Sequence, residues 1–377
     1  MISRFGRLAP LAVLACLSGP LPAHAEGGFL ERVKKHVTVT STVAENGDQN
    51  PYAVVVAPVS AGLIHKDDVL IDNFNNATNL QGLGTTIVIY DPATRKTRPF
   101  AALPRHLTQC PGGVGLTTAM IMLKSGWVIV GSTPSEDGTT ATKGPGCLIV
   151  LDPNGKLADV WSGPDIDGPW GNMAIRDDGA SATLFISMAG FDVPGPQVRD
   201  AAGFPVTVAK ATVLRLTLSI PNGGKPAITG RTVVANGFGQ RSDPGAFLIG
   251  PTGLVLAQDG TLYVSDALGN RIVAVENALT RPDSAGTGRE ITQGGMLNRP
   301  LALIMAPNGH LLAVNGRNGQ VVEIDPAAKK QLYAQWIDAN QAQSPPGSGD
   351  LFGLAVKPDG SGFYYVEDEV NALVEAK

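Results

Sequence analysis

GPTGLVLAQDGTLYVSDALGNRI, from Gly250 to Ile272, holds an apolar run, a tight Asp-Gly turn, a second apolar run ending in Ser265-Asp266, and a Gly-Asn turn into a third run. Short apolar runs joined by such turns read as antiparallel strands. The unit recurs as RPLALIMAPNGHLLAVNGRNGQVVEI from Arg299 to Ile324, and as FGLAVKPDGSGFYYVEDEVNALV from Phe352 to Val374. Looser copies run from Tyr52 to Tyr90, Leu116 to Leu151 and Gly171 to Leu216. A spacing of roughly fifty to eighty residues falls in the range of propeller blades.

A fourth strand follows the third in most units. The joins are Asp91-Pro92, Asp152-Pro153 and Asp325-Pro326. Proline presets the turn and the aspartate bonds its amides, so these acids are structural. Arg98 to Ala101, Leu157 to Trp161 and Gln331 to Trp336 are the predicted outer strands. The last unit ends after three strands, and HVTVTSTV, His36 to Val43, alternates as its missing edge should. The expected fold is all-β, a six-bladed β-propeller of four-stranded antiparallel blades closed by an N-terminal strand, which removes free sheet edges.

Arg4 and Arg7, the apolar stretch Leu8 to Leu17 and the Ala23-His24-Ala25 site predict a signal peptide over 1–25, cleaved after Ala25, before a single propeller domain over 26–377. Lipoprotein anchoring at Cys16 is the rival reading. The expected location is periplasmic or secreted. No other segment reaches spanning length. A net charge of −4, with 16% charged residues, offers no broad basic face for nucleic acid. Cys110 and Cys147 then form a disulfide or remain two buried thiols, the bridge being the reading an oxidising compartment favours.

Pro251, Gly253-Leu254, Asp259-Gly260, Leu262-Tyr263-Val264, Asp266 and Asn270-Arg271-Ile272 resemble the NHL repeat. The resemblance is close in this unit, moderate in the two that follow and weak in the first three; it implies a propeller that binds partners or ligands. In outline the units also resemble the SMP-30/gluconolactonase-like group. That resemblance implies an axial divalent ion, calcium by preference, held by Glu, Asn and Asp at the starts of inner strands. The positions that match are Thr118, Gly171, Thr252, Leu301 and Phe352, with Val54 or a neighbour in the first unit and Asn172 one residue away. None is a carboxylate, and Asn50-Pro51-Tyr52 stands where the group has Glu-Gly-Pro. No metal site or cofactor is therefore expected, calcium entering only under the hydrolase reading.

A propeller puts the loops between second and third strands, and those leading into inner strands, on one face. His65 and His310 lie by turns on the other and are read as surface residues; His106 alone falls near the loop face. Three long loops, Asn73 to Gly84, Ser132 to Gly146 and Met188 to Lys210, share the loop face with Cys110 and Cys147. The first is rich in amides: Asn73, Asn75, Asn76, Asn79 and Gln81 suit sugars or peptide groups, and equally suit local turns. Trp170 and Asn172 join them, as a stacking platform or as packing. Asp266, Arg299, Asn315 and Arg317 crowd the mouth and either grip a ligand or satisfy one another. The function read from this is a ligand- or protein-binding scaffold on the loop face. Its partner is a small molecule or an exported protein, and the alternative is a divergent lactone or ester hydrolase.

Overall fold

The computed structural model describes residues 28–377, with Met1; the expected leader otherwise lies outside the described residues. Six antiparallel sheets form a ring. Blade one is Gln49–Val56, Val69–Asn75, Thr86–Asp91 and Lys96–Ala102, and blade two is Leu116–Met122, Val128–Ser132, Cys147–Leu151 and Leu157–Trp161. Blades four and five repeat the pattern from Pro251–Leu256 to Arg289–Gln293 and from Pro300–Met305 to Lys330–Trp336. Blade six takes Leu351–Val356, Phe363–Glu367 and Ala372–Ala376 from the end of the chain, and its outer edge is His36–Ser41, with His36 opposite Ala376.

A short helix, Phe29–Arg32, precedes that closing strand and buries Phe29 and Leu30. Glu323, on the third strand of blade five, anchors it: its carboxylate accepts the amides of Phe29 (2.8 Å) and Leu30 (2.9 Å), Asn308 Nδ2 (2.9 Å) and a 2.7 Å contact from His310 Nδ1. Burial alone would raise the Glu323 pKa; the bonds from Leu30, Asn308, His310 and Phe29 outweigh it and hold the group below its usual range. His310 therefore departs from the surface reading, because the sequence gives no hint that a buried acid lies across the turn from it. The His65 side chain is 67% exposed, as read.

Blade three differs from the others. It has five strands, Ala174–Asp177, Ser181–Met188, Val208–Ser219, Ala227–Asp243 and Phe247–Ile249. Its outer strand runs past the sheet, turns at Asp243-Pro244-Gly245 and comes back to pair Asp243 with Phe247. This returning hairpin lies over the loop-face mouth of the ring. Glycine lets blades three and four meet closely: a Cβ on Gly171 would lie 1.3 Å from the Thr252 carbonyl oxygen.

Five of the six inner strands carry a bulge near their loop-face ends, between Pro51 and Val54, Leu116 and Met120, Pro251 and Leu254, Pro300 and Leu303, and Leu351 and Leu354. Prolines 51, 251 and 300 have no amide to give the ladder, and a bulge re-aims the side chains beside it. The residues thus turned to the axis are Tyr52, Thr118, Thr252, Leu301 and Phe352. In blade one the axial position is Tyr52 and not Val54, which lines the opposite mouth.

Candidate functional site

The axis is closed from the loop face downward. Tyr52, Phe74, Trp170, Phe247 and Phe352 form one aromatic plug, with ring centroids 4.2 Å apart for Tyr52 and Phe352, 4.8 Å for Tyr52 and Phe74, and 5.9 Å for stacked Trp170 and Phe247. Trp170 is buried packing within it. Beneath lies a narrow, mostly apolar cavity whose lining includes Thr118, Asn172 and Thr252 and no carboxylate. Asn172 bars its floor: Nδ2 donates to the carbonyls of Leu254 (2.9 Å) and Leu303 (3.1 Å), and Oδ1 accepts the Leu303 amide (3.3 Å). An axial calcium of the gluconolactonase kind does not fit this lining, which offers one amide already committed to backbone and hydroxyls without charge.

The long loops brace one another. Arg105 donates to the carbonyls of Gly82 (3.3 Å), Val114 (3.2 Å) and Ser135, tying the first loop to the second. The Cys110–Cys147 disulfide fixes the base of the second loop across 37 residues, and such a bond fits an oxidising compartment. Asn76 folds its own turn, accepting the amides of Thr78 and Leu80. Asn73 and Asn75 are buried, bonded to Thr42 and Thr86 and to Asn79 respectively, each with Oδ1 unpartnered. Gln81 reaches the returning hairpin at Gly245 (3.5 Å). Asp266 bonds Gly269 and Arg271 within its own turn; Asn315 bonds Asn298, Met296 and Asn318.

The structure brings Arg299 and Arg317 to one place and adds partners that the sequence does not reveal. They border a loop-face cleft of about 410 Å³ with Arg241 and Asp243 from the returning hairpin, Phe204 from the third long loop, and Ser348. Asp243 Oδ2 is 2.8 Å from Arg299 Nη1 and 3.7 Å from Arg317 Nη2, while its Oδ1 accepts the Gly245 amide (3.0 Å). Arg241 lies 5.7 Å from the centre of the exposed Phe204 ring, and its buried Nε has no partner. Burial lowers the pKa of the Arg299 guanidinium, as do Arg317 and Arg241, while Asp243 opposes them. Three guanidinium groups thus face one carboxylate.

The cleft is held in shape by strained backbone. Arg299 has φ +59° and Phe247 φ +62°, a region that bulky side chains seldom occupy. Arg299 is kept there by its amide's 2.8 Å bond to Asn270 Oδ1 and by the Gly316 amide on its carbonyl (2.8 Å). Such strain persists where the surroundings over-determine it, commonly at ligand clamps. Arg241 and Asp243 have one readable sign in the sequence: Asp243-Pro244-Gly245 is a fourth Asp-Pro turn, in a stretch outside the repeated strand pattern.

Two other groups of acids stand apart. On the turn face His65, Asp68 and Asp91 lie together, but Asp68 is already paired with Arg98 at 2.6 Å. On the loop face of blade six, burial and neighbouring acids raise Asp338 to about 6, and Glu367 and Asp368 to about 7. His106 is exposed.

No family model matches the chain, and no curated protein matches it. Solved propellers do. The chain is similar to a gluconolactonase of Xanthomonas campestris, at 12% identity and TM-score 0.55 over 92% of this chain and 90% of that one. It is also similar to the PQQ-bound aldose sugar dehydrogenase of Streptomyces coelicolor, at 16% identity and TM-score 0.52 over 91% and 98%. A luciferin-regenerating enzyme aligns at 10% identity and TM-score 0.53 over 91% and 95%. At these identities the likeness is one of fold.

Proposed function

We propose that this protein is an exported, NHL-type propeller that binds a small anionic ligand, or an anionic group of a protein partner, in the loop-face cleft of Arg241, Arg299 and Arg317. The observation that carries the reading is the excess of guanidinium over carboxylate in a cleft of ligand size. Guanidinium forks suit carboxylate and phosphate, and Phe204 offers a face for an apolar part of the ligand. The disulfide supports export. The measurement is calorimetric titration with sugar acids, di- and tricarboxylates and phosphorylated sugars. Micromolar to millimolar binding by at least one class is expected, weakened about ten- to a hundredfold in Arg317→Gln, since a hydrogen bond to a charged group contributes about 1.5–3 kcal/mol. Equal affinity in Arg317→Gln and Arg241→Gln would remove the cleft from the account.

The second reading is a divergent SMP-30/gluconolactonase-like hydrolase. The gluconolactonase among the structural neighbours favours it. Turnover of a lactone by the purified protein, abolished by EDTA and restored by a divalent ion, is the result it requires.

A further inference from the structure

A pocket of about 250 Å³ opens at the seam of the ring, where blade six meets blade one. It is bordered by Thr38 of the closing strand, Tyr90 and Arg95 of blade one, and Tyr364, Glu375 and Lys377 of blade six. Strand pairing assembles it. Val37, Glu375 and Tyr364 stand opposite one another across three neighbouring strands of blade six, and such cross-strand neighbours share a face of the sheet. In blade one Tyr90 is opposite Thr97, whose hydroxyl lies 2.6 Å from that of Thr40 on the closing strand. That contact ties the two blades together beside the row that holds Tyr90.

The first observation that points to a ligand is a pair of phenols. Tyr90 and Tyr364 are 3% and 4% exposed, and both line the pocket. The hydroxyls of Tyr333 and Tyr365 are bonded, to Lys34 and to the Ile337 carbonyl, whereas those of Tyr90 and Tyr364 bond nothing among the described residues. A buried hydroxyl without a protein partner is uncommon. Burial raises the pKa of both, that of Tyr364 to about 12, so each keeps its proton and is a donor.

The second observation is charge. Arg95 closes the turn that begins at Asp91, its amide donating to the Asp91 carbonyl (2.7 Å), and among the described residues its guanidinium pairs with no acid. Glu375, the carboxylate of the lining, is already held by Lys357 Nζ (2.7 Å) and Lys377 Nζ (2.5 Å). Of the acids further out, Asp91 and Asp359 accept the amides of their own turns. Two O–H groups and one guanidinium are left uncommitted, and all of them are donors.

We propose that this pocket binds the carboxylate or phosphate group of a small molecule, paired with Arg95 and accepting the hydroxyls of Tyr90 and Tyr364. A guanidinium fork matches the oxygens of either group. Val37, Val39 and Pro92 offer the rest of the molecule an apolar wall. The volume is below that of pockets for drug-sized ligands, so the body is about one sugar ring or smaller. The pocket shares no residue with the arginine cleft and is a second site. Its ligand bridges the first blade and the last, and so stabilises the closed ring.

The test uses the full mature protein carrying ¹³C at the tyrosine Cζ, with its 6 tyrosine signals assigned by single Tyr→Phe variants. Inorganic phosphate, glucose 6-phosphate and glucuronate are titrated, with glucose as the neutral control, and thermal melting is followed in parallel. Expected are saturable shifts of the Tyr90 and Tyr364 signals with at least one anion, and a melting temperature that climbs with its concentration. Arg95→Gln should weaken that binding about tenfold or more, while Arg317→Gln leaves it unchanged. Tyr90→Phe and Tyr364→Phe each remove a hydroxyl that bonds nothing in the protein, so both should melt with the parent and bind less tightly. Binding of phosphate alone would assign the site to the oxyanion, and preference for glucose 6-phosphate or glucuronate would add the sugar ring to what it recognises. The proposal is overturned if neither signal moves at about 10 mM of all three anions, weaker than any ligand this pocket would hold. An equal shift with glucose overturns it, as does unchanged binding in Arg95→Gln. Loss of the shifts in Arg317→Gln overturns it too, because they would then report the arginine cleft.

Discussion

Asp72→Asn should make the protein more stable at alkaline pH, by a margin that shrinks steadily as pH falls toward about 4. Asp72 is fully buried in the second strand of blade one; Oδ1 accepts the Ala53 amide at 2.8 Å, and Oδ2 has no partner. Burial raises its pKa from 3.8 to about 8, against the opposing bond from Ala53. The folded carboxyl therefore keeps a proton that the unfolded chain has released. Its contribution to stability is complete below about pH 4, falls as pH rises toward 8, and is constant above. Roughly four pH units at ~1.4 kcal/mol each set a ceiling of about 5–6 kcal/mol, and relaxation around a buried charge brings the expected loss to ~2–4 kcal/mol. Asparagine retains the acceptor for Ala53 and cannot ionise. Urea unfolding of both proteins at about pH 5, 6.5 and 8.5 isolates the site, because every other titrating group is common to the two. Parallel stability curves would refute the reasoning, as would a variant weaker than the parent at the highest pH.

Two further outcomes follow from the same physics. Glu323→Ala strips two helix amides, Asn308 and His310 of one buried acceptor, and should cost ~3–5 kcal/mol in urea unfolding; a loss under about 1 kcal/mol would deny the anchor its role. Since the bonds hold the Glu323 pKa below its usual range, its contribution is present above the unfolded glutamate value and disappears as pH falls through the folded one. Reducing Cys110–Cys147, or replacing both by serine, opens a 37-residue loop whose closure entropy is up to ~4 kcal/mol. Thermal melting with and without reductant reads that loss, and an unchanged melt would mean the second loop stays ordered without its bridge.

The ring is legible in the sequence because its unit is local. Gly250 to Ile272 carries its own turns and alternation, so each copy declares itself without reference to the others. The closing strand at His36 is legible too, since six units with one strand missing leave a single vacancy. The cleft is not. Arg241 and Asp243 stand on an outer strand of 17 residues whose upper end leaves the blade pattern, so no repeat position marks them. Asn73, Asn75 and Trp170 look alike as polar or stacking candidates, but Trp170 is covered by Phe247 folding back over the mouth, and Asn73 and Asn75 are tied up by Thr42, Thr86 and Asn79. The acids near the seam, where His36 pairs with Ala376, escape too: Asp338 stands in a loop outside the repeated strand pattern.

The seam also sets an order of events. The strand from His36 is among the first made and the last to find its partner, because Ala372–Ala376 must exist before it can pair. Until then the ring has two raw edges at the same moment, one at each end of the chain, and both invite pairing with a neighbour. Synthesis therefore passes through an unfinished molecule that needs shielding from proteases and from its own copies. Loss of only the last few residues would leave that unfinished molecule as the permanent one.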